Sequence, residues 1–252
     1  MRLYYVFLFI FGIFFCFLSA SFSQIIKTPK LPGIDRKNEH RKIVDVLQEP
    51  WQIVGRVQTD LGQKCTGFLI KPRIVMTAAH CLWIRKTQRF IHPQSVHFLL
   101  GYQHGTYKVA TKVQQIVITQ GYKGTLSGKT SEQDIPKDKA FLILPTNILS
   151  PSQLIPVQSE EKLLGHAVWL GGYEQDRKEV LYADKQCTII NVLHTSLPEA
   201  TLEHNCQGTY GSSGAPLLAQ NEDGKWRIIG MQVAAFGNKA GGLATALTID
   251  KQ

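Results

Sequence analysis

Residues 74–81 read Ile74-Val75-Met76-Thr77-Ala78-Ala79-His80-Cys81. An apolar, β-branched run meets two alanines, then a histidine and a cysteine. Such a run is strand-forming. The small alanines let the backbone turn tightly and leave the imidazole facing a cleft. A neutral imidazole is the group best suited to take a proton from a hydroxyl near neutral pH. A lone histidine in such a place more often serves structure, so the weight rests on what accompanies it.

Outward from this stretch the same texture recurs. Short apolar runs lie at Gln52–Val57, Thr66–Ile70, Ile74–Thr77, Val96–Leu100, Lys108–Ala110, Gln115–Thr119 and Phe141–Leu144. Others follow at Ala167–Leu170, Cys187–Val192, Pro216–Ala219, Arg227–Val233 and Gly242–Leu247. Gly, Pro, Asn and Asp separate them, and no long stretch has helical period. The pattern predicts an all-β sandwich or a pair of barrels. Asn147–Gln153, between Pro145 and Pro151, reads as the crossing between halves at about 43–150 and 151–252.

The start of the chain has a different character. Arg2 precedes an apolar run from Leu3 to Leu18, followed by Ser19, Ala20, Ser21 and Ser23. A basic start, an apolar middle and small residues describe a secretory signal peptide over residues 1–23, cut after Ser23, with Ala20 or Ser21 as alternatives. The competing reading is an uncleaved anchor, since the run approaches spanning length. Residues 24–42 hold Pro29, Pro32, Gly33 and many charges, and read as a disordered leader or candidate pro-segment. Of the formal net charge of +9, Arg2 supplies one unit and residues 24–42 a net four, leaving the rest modestly basic. No basic stripe interleaved with aromatics suggests nucleic acid. Of five cysteines, Cys16 lies in the signal. Cys65, Cys81, Cys187 and Cys206 suggest two disulfides, with three connectivities open. None forms a C-x-x-C pair, which argues against structural zinc.

Two further stretches bear chemistry. In Gly211-Ser212-Ser213-Gly214-Ala215-Pro216, glycines flank a serine, so backbone can approach a substrate closely. Successive N–H groups in such a turn can converge on a developing oxyanion. In Asp138-Lys139-Ala140-Phe141-Leu142-Ile143-Leu144, an acid just before an apolar strand could be buried beside His80 and fix its tautomer. Asp134 competes for that role from a more polar loop. All eight histidines precede Ser213, which excludes the serine-before-histidine order of α/β-hydrolases.

Together these three stretches resemble the histidine, aspartate and serine boxes of the trypsin-like serine peptidase family, over about Ile43 to Leu247. The resemblance implies two packed six-stranded antiparallel β-barrels of the chymotrypsin type, with the active site between them. It implies an exported serine endopeptidase in which Ser213 is the nucleophile, His80 the general base and Asp138 its orienting partner. The Gly211 and Ser213 N–H groups would form the oxyanion hole. It also implies a Cys65–Cys81 bridge, which would leave Cys187 and Cys206 as the second pair. The alternative is a non-catalytic protease homologue acting as a binding or adhesion protein.

The departures from the family are informative. Ser212 stands where digestive members carry the aspartate that receives a freshly cut amino terminus. Arg41-Lys42-Ile43-Val44 still looks like a processing site, but that ion pair cannot form. The serine box, the short gap from Asp138 to Ser213 and the single bridge near it are more similar to the bacterial glutamyl-endopeptidase branch. Gln207 falls where basic-specific relatives hold an acid, and Gln232 replaces that branch's carboxylate-binding histidine. Gln207, Gln232, Val233 and Ala234 are therefore the expected substrate-binding residues, with Gly241–Ala246 shaping the opposite pocket wall. A monomer is expected, secreted or periplasmic, acting on a protein or peptide substrate. No cofactor, metal, nucleic acid or membrane contact of the mature form is expected.

Overall fold

The computed structural model describes residues 31–125, 127, 130–158, 162–193 and 200–247. The expected signal peptide, Cys16 and residues 24–30 lie outside them. The first sheet contains β2 (Val54–Thr59), β3 (Lys64–Lys71), β4 (Ile74–Thr77), β7 (Val96–Leu100), β8 (Val109–Lys112), β9 (Gln115–Ile118) and β10 (Ala140–Ile143). The second contains β1 (Lys42–Ile43), β11 (Ala167–Gly172), β12 (Tyr182–Leu193), β13 (Thr201–His204), β14 (Pro216–Gln220), β15 (Trp226–Ala235) and β16 (Gly242–Ala246). A small hairpin, β5 (Trp83–Ile84) with β6 (Arg89–Phe90), stands apart.

Both sheets are antiparallel, and both curl. The first runs β8-β7-β2-β3-β4-β10-β9. Only Val113 and Gln114 separate its two edge strands. Val113 N–H donates to Val96 O and Gln114 N–H to Ile143 O, both at 2.9 Å. β8 and β9 are thus two arms of one bent strand that pairs at either edge of a six-member curl. The second sheet runs β12-β11-β14-β15-β16-β13, and β13 pairs back onto β12, closing six strands into a barrel. β1 adds a short seventh strand on β12. Closure leaves few open edges.

Alternation puts the apolar set inside. Along β10, Ala140 and Leu142 are buried while Phe141 and Ile143 are half-buried. Phe68, Phe98, Leu100 and Leu142 fill the first core, and Leu170, Ile189, Leu202, Leu217 and Ile229 the second. Each such side chain contributes roughly 1.5–3 kcal/mol by leaving water. Trp51 stacks on Trp169 at 6.1 Å, joining the first half to the second.

Every one of the twelve predicted apolar runs overlaps a strand, although Gln52 and Ile53 fall in a 3₁₀ turn before β2. β13 was not among the predicted strands, because Thr-Leu-Glu-His offers one large apolar residue and no alternation. A second difference concerns residues 32–42, expected to be disordered. They pack on the second barrel: Ile34 is buried, Gly33 N–H donates to Phe236 O at 2.6 Å, and Lys42 and Ile43 form β1. A lone isoleucine among prolines and charges carries no periodicity, so the sequence offered no strand signal there.

Two disulfides are present, Cys65–Cys81 and Cys187–Cys206, spanning 16 and 19 residues. Closing loops of this length stabilises a chain by roughly 3 kcal/mol each in the chain-entropy account. Reduction of both is therefore expected to lower the melting temperature by about 10 °C or more. An unchanged transition after verified reduction would contradict this.

Candidate active site

The alanines of the opening stretch do what their size allows. β4 ends at Thr77, and a 3₁₀ turn at Ala79–Leu82 brings His80 out beside Asp138, which terminates a second 3₁₀ turn at Glu132–Lys137. Because β4 and β10 pair with Thr77 opposite Ala140, the two residues just past those strand ends meet. Asp138 is fully buried, and His80 has about a fifth of its side chain exposed. His80 Nδ1 donates to Asp138 Oδ2 at 2.7 Å, and the His80 backbone N–H donates to Oδ1 at 2.8 Å. Thr130 Oγ1 donates to the same Oδ2. A carboxylate only accepts, so Nδ1 holds the proton and Nε2 keeps its lone pair. Asp134, the competing acid, accepts from Ser131 Oγ and lies in the loop.

Electrostatics follow from this geometry. Burial alone would raise the Asp138 pKa, but the nearby His80 charge, the His80 hydrogen bonds and Thr130 outweigh it and hold the carboxyl below its ordinary range. Burial would lower the His80 pKa, yet the Asp138 charge and hydrogen bond overcome it, and the net direction is upward. Thr130, eight residues before Asp138 in a loop, had no sequence signal.

Ser213 reaches the site from the second barrel. Thr66, on β3, fastens the loop that carries it. Thr66 N–H donates to Ser213 O at 2.9 Å, its hydroxyl donates to Gly211 O at 2.8 Å, and that hydroxyl accepts from Tyr173 N–H at 2.9 Å. Ser213 Oγ donates to Val233 O at 3.4 Å. Gln175 N–H donates to Tyr210 O at 2.6 Å, and the trans peptide then turns Gly211 N–H the opposite way. Gly211 has φ +96°, and a Cβ there would meet Tyr173 O at 2.3 Å, so only glycine fits. Among the described residues, the Gly211 and Ser213 N–H groups make no internal hydrogen bond. Ser212 is buried and spends its hydroxyl on Thr209 O at 2.6 Å. Ile43 is half exposed in β1 rather than inserted beside Ser212.

His80, Ser213, Gly211, Gln232, Val233 and Ala234 line one cleft of about 410 Å³. β15 is irregular between Gln232 and Ala234, and this bulge brings the Val233 carbonyl to Ser213. Two expectations fail here. Gln207 does not line the cleft: its Oε1 accepts from Asp35 N–H at 3.3 Å and its Nε2 donates to Asn38 O at 2.7 Å. It anchors the N-terminal segment. Nor does Gly241–Ala246 form the opposite wall; β16 is spent pairing β15 and β13, and Thr209 and Tyr210 stand there instead. Among the described residues, the one cluster with metal-ligating residue types is Cys65, His80 and Cys81, and its two sulfurs are bonded to each other.

The trypsin family profile matches residues 41–249 of this chain. The chain belongs to the trypsin family. As a trypsin-family member it is a serine endopeptidase, and its substrates are proteins or peptides. A curated trypsin from Phaedon cochleariae is 25% identical over 226 residues, which cover 85% of this chain and 81% of that one. A solved Glu endopeptidase in complex with MPD superposes with a TM-score of 0.67 at 16% identity, covering 84% of this chain and 92% of its own. Protease Anisep from Arthrobacter nicotinovorans superposes at 0.62 with 18% identity, covering 83% and 94%. At these identities the two structures support the chymotrypsin-type double barrel and nothing finer.

Proposed function

We propose that this trypsin-family chain hydrolyses peptide bonds through an acyl-enzyme on Ser213, with His80 as general base and Asp138 orienting it. The observation that carries the reading is the buried Asp138 carboxylate: it accepts hydrogen bonds from both His80 Nδ1–H and the His80 backbone N–H, which orients the imidazole and fixes its tautomer. Nε2 is then the basic nitrogen available to Ser213, whose hydroxyl shares the cleft. Attack forms a tetrahedral oxyanion that the Gly211 and Ser213 N–H groups are free to receive. His80 passes the proton to the departing amine, and water repeats the sequence to release the acyl group. A secreted or periplasmic location agrees with two disulfides and with the apolar start of the sequence. No helix among the described residues is long and apolar enough to cross a membrane.

An organophosphonate tests the assignment and its electrostatics together. Ser213 is expected to label covalently. Protonated His80 cannot accept the serine proton, so the labelling rate is low in acid and rises with pH, its midpoint above the ordinary imidazole value. Asp138→Asn removes the influence that raises that value and leaves burial, so the midpoint moves down while the rate falls by about 10⁴-fold. Absence of labelling in folded protein would favour the non-catalytic binding reading instead.

A further inference from the structure

Gln232 and Thr209 line the cleft without serving the proton relay or the oxyanion donors. Three hydrogen bonds determine which end of the Gln232 amide the cleft meets. Cys206 N–H donates to His204 Nδ1 at 3.2 Å, so that nitrogen carries the lone pair and the neutral ring bears its proton on Nε2. Nε2 lies 2.5 Å from Gln232 Oε1 and donates to it. The amide nitrogen therefore faces away from His204; one of its hydrogens goes to Ala234 O at 3.1 Å, and the second is left for the cleft. His204 is fully buried, which pushes its pKa down to about 4 and keeps it neutral, so the orientation persists through the neutral range.

Thr209 supplies the second observation. It is 1% exposed, yet its Oγ1 has no hydrogen-bond partner. A buried hydroxyl left unpaired is costly, and a polar group seated in the cleft would satisfy it. The charges narrow the chemistry further. Among the described residues no acidic side chain lines the cleft, which leaves lysine and arginine without a counter-charge there. Its two basic groups are engaged, Lys64 with Glu179 at 3.8 Å and His80 with Asp138. A carboxylate entering beside Gln232 would be desolvated without a counter-ion of its own.

We propose that the cleft selects a side-chain carboxamide, glutamine or asparagine, at the residue whose carbonyl is attacked. Gln232 and Thr209 determine that specificity, and His204 is a positioning residue that acts through Gln232. The carboxamide oxygen accepts from Gln232 Nε2, and its NH₂ donates to Thr209 Oγ1. This rests on Ser213 being the nucleophile.

The test compares kcat/KM for quenched peptides that differ only at the residue before the cut: glutamine, asparagine, methionine, glutamate and lysine. Phosphonate labelling of Ser213 is measured in parallel. Glutamine or asparagine is expected to exceed the other three by about tenfold or more, since a site that hydrogen-bonds a polar group rejects analogues without it. Thr209→Val and Gln232→Glu should each compress the carboxamide-to-methionine ratio by about tenfold. His204→Phe should relax the same ratio by about tenfold, whereas a merely structural role would lower kcat/KM for all five peptides alike. Intact labelling with a wild-type preference for lysine, glutamate or methionine would overturn the specificity and leave the peptidase reading standing. So would a carboxamide preference that survives both Thr209→Val and Gln232→Glu. Loss of labelling in the wild type would end both readings.

Discussion

Replacing Ser213 by alanine is expected to abolish peptide hydrolysis, lowering kcat by about 10⁴- to 10⁶-fold, while the melting temperature stays within a few degrees of wild type. The two halves of this expectation have separate physical grounds. Catalysis in the proposed mechanism requires a hydroxyl at this position, because the cleft's other candidate nucleophiles among the described residues are tied up or lie away from His80 Nε2: Cys65 is locked in a disulfide, Ser212 is tied to Thr209 O, Thr130 is committed to Asp138, and the Thr209 hydroxyl is buried. Stability hardly depends on it, because the hydroxyl makes one long hydrogen bond, to Val233 O at 3.4 Å. The contacts that hold the loop come from backbone, through Thr66 and the Gly211 and Ser213 carbonyls, and alanine keeps them all. Turnover at a tenth of the wild-type rate, or a collapse of the fold, would refute the corresponding half.

Removal of residues 31–42 is expected to have the second largest effect. A chain beginning at Ile43, the product of cutting after Lys42, should melt at least about 6–12 °C lower than one beginning at Leu31 and should lose most of its activity. Arg41 is buried, ion-paired to Glu174 and to Asp176 and Glu39 at 2.8 Å. Its loss strands the Glu174 carboxylate, itself 1% exposed, and breaking a buried pair from one side costs roughly 3–5 kcal/mol. At about 2–4 °C per kcal/mol for a chain of this size, the lower bound follows. Activity suffers because the segment bounds the cleft. Pro32 lines it, and Gly33, at φ +72°, lies so close to Gly208 that a Cβ would meet its carbonyl at 2.0 Å. Without residues 31–42, the Gln207 side-chain amide, next to Gly208 and Thr209, loses its contacts with Asp35, Asn38 and His40. Equal melting and equal kcat/KM for the two chains would contradict this account. The same burial keeps the Arg41 side chain from a basic-specific protease, whereas Lys42, before the expected cut, is exposed.

What could be read in the sequence was local. The histidine, aspartate and serine stretches each carry their geometry within a few residues: small alanines at a turn, an acid at a strand end, glycines around a serine. Asp138 and Asp134 could not be separated that way, because strand pairing between β4 and β10 decides which acid lies next to His80. Gln207 was misjudged for a related reason. Its direction is set by Asp35 and Asn38, about 170 residues earlier in the chain, in a segment whose composition resembles a loose leader. Thr209 and His204 went unnoticed because an unpaired hydroxyl and a fixed tautomer are properties of packing. Only His204, a histidine two residues before Cys206, offered a sequence clue.

Thr66 belongs to the first barrel, yet it bonds Tyr173, Gly211 and Ser213 of the second. Arg56 and Tyr102 reinforce it, gripping Lys178 O at 3.1 Å and the Glu179 carboxylate. The segment they grip is the one whose Gln175 N–H holds the Tyr210 carbonyl. Hinge opening, by which many two-lobed enzymes admit their ligands, would therefore dismantle the very donors that the proposed mechanism uses. On the proposed reading, substrate is expected to enter along Val233–Ala235, where β15 runs past its pairing with β14, while the lobes stay clamped.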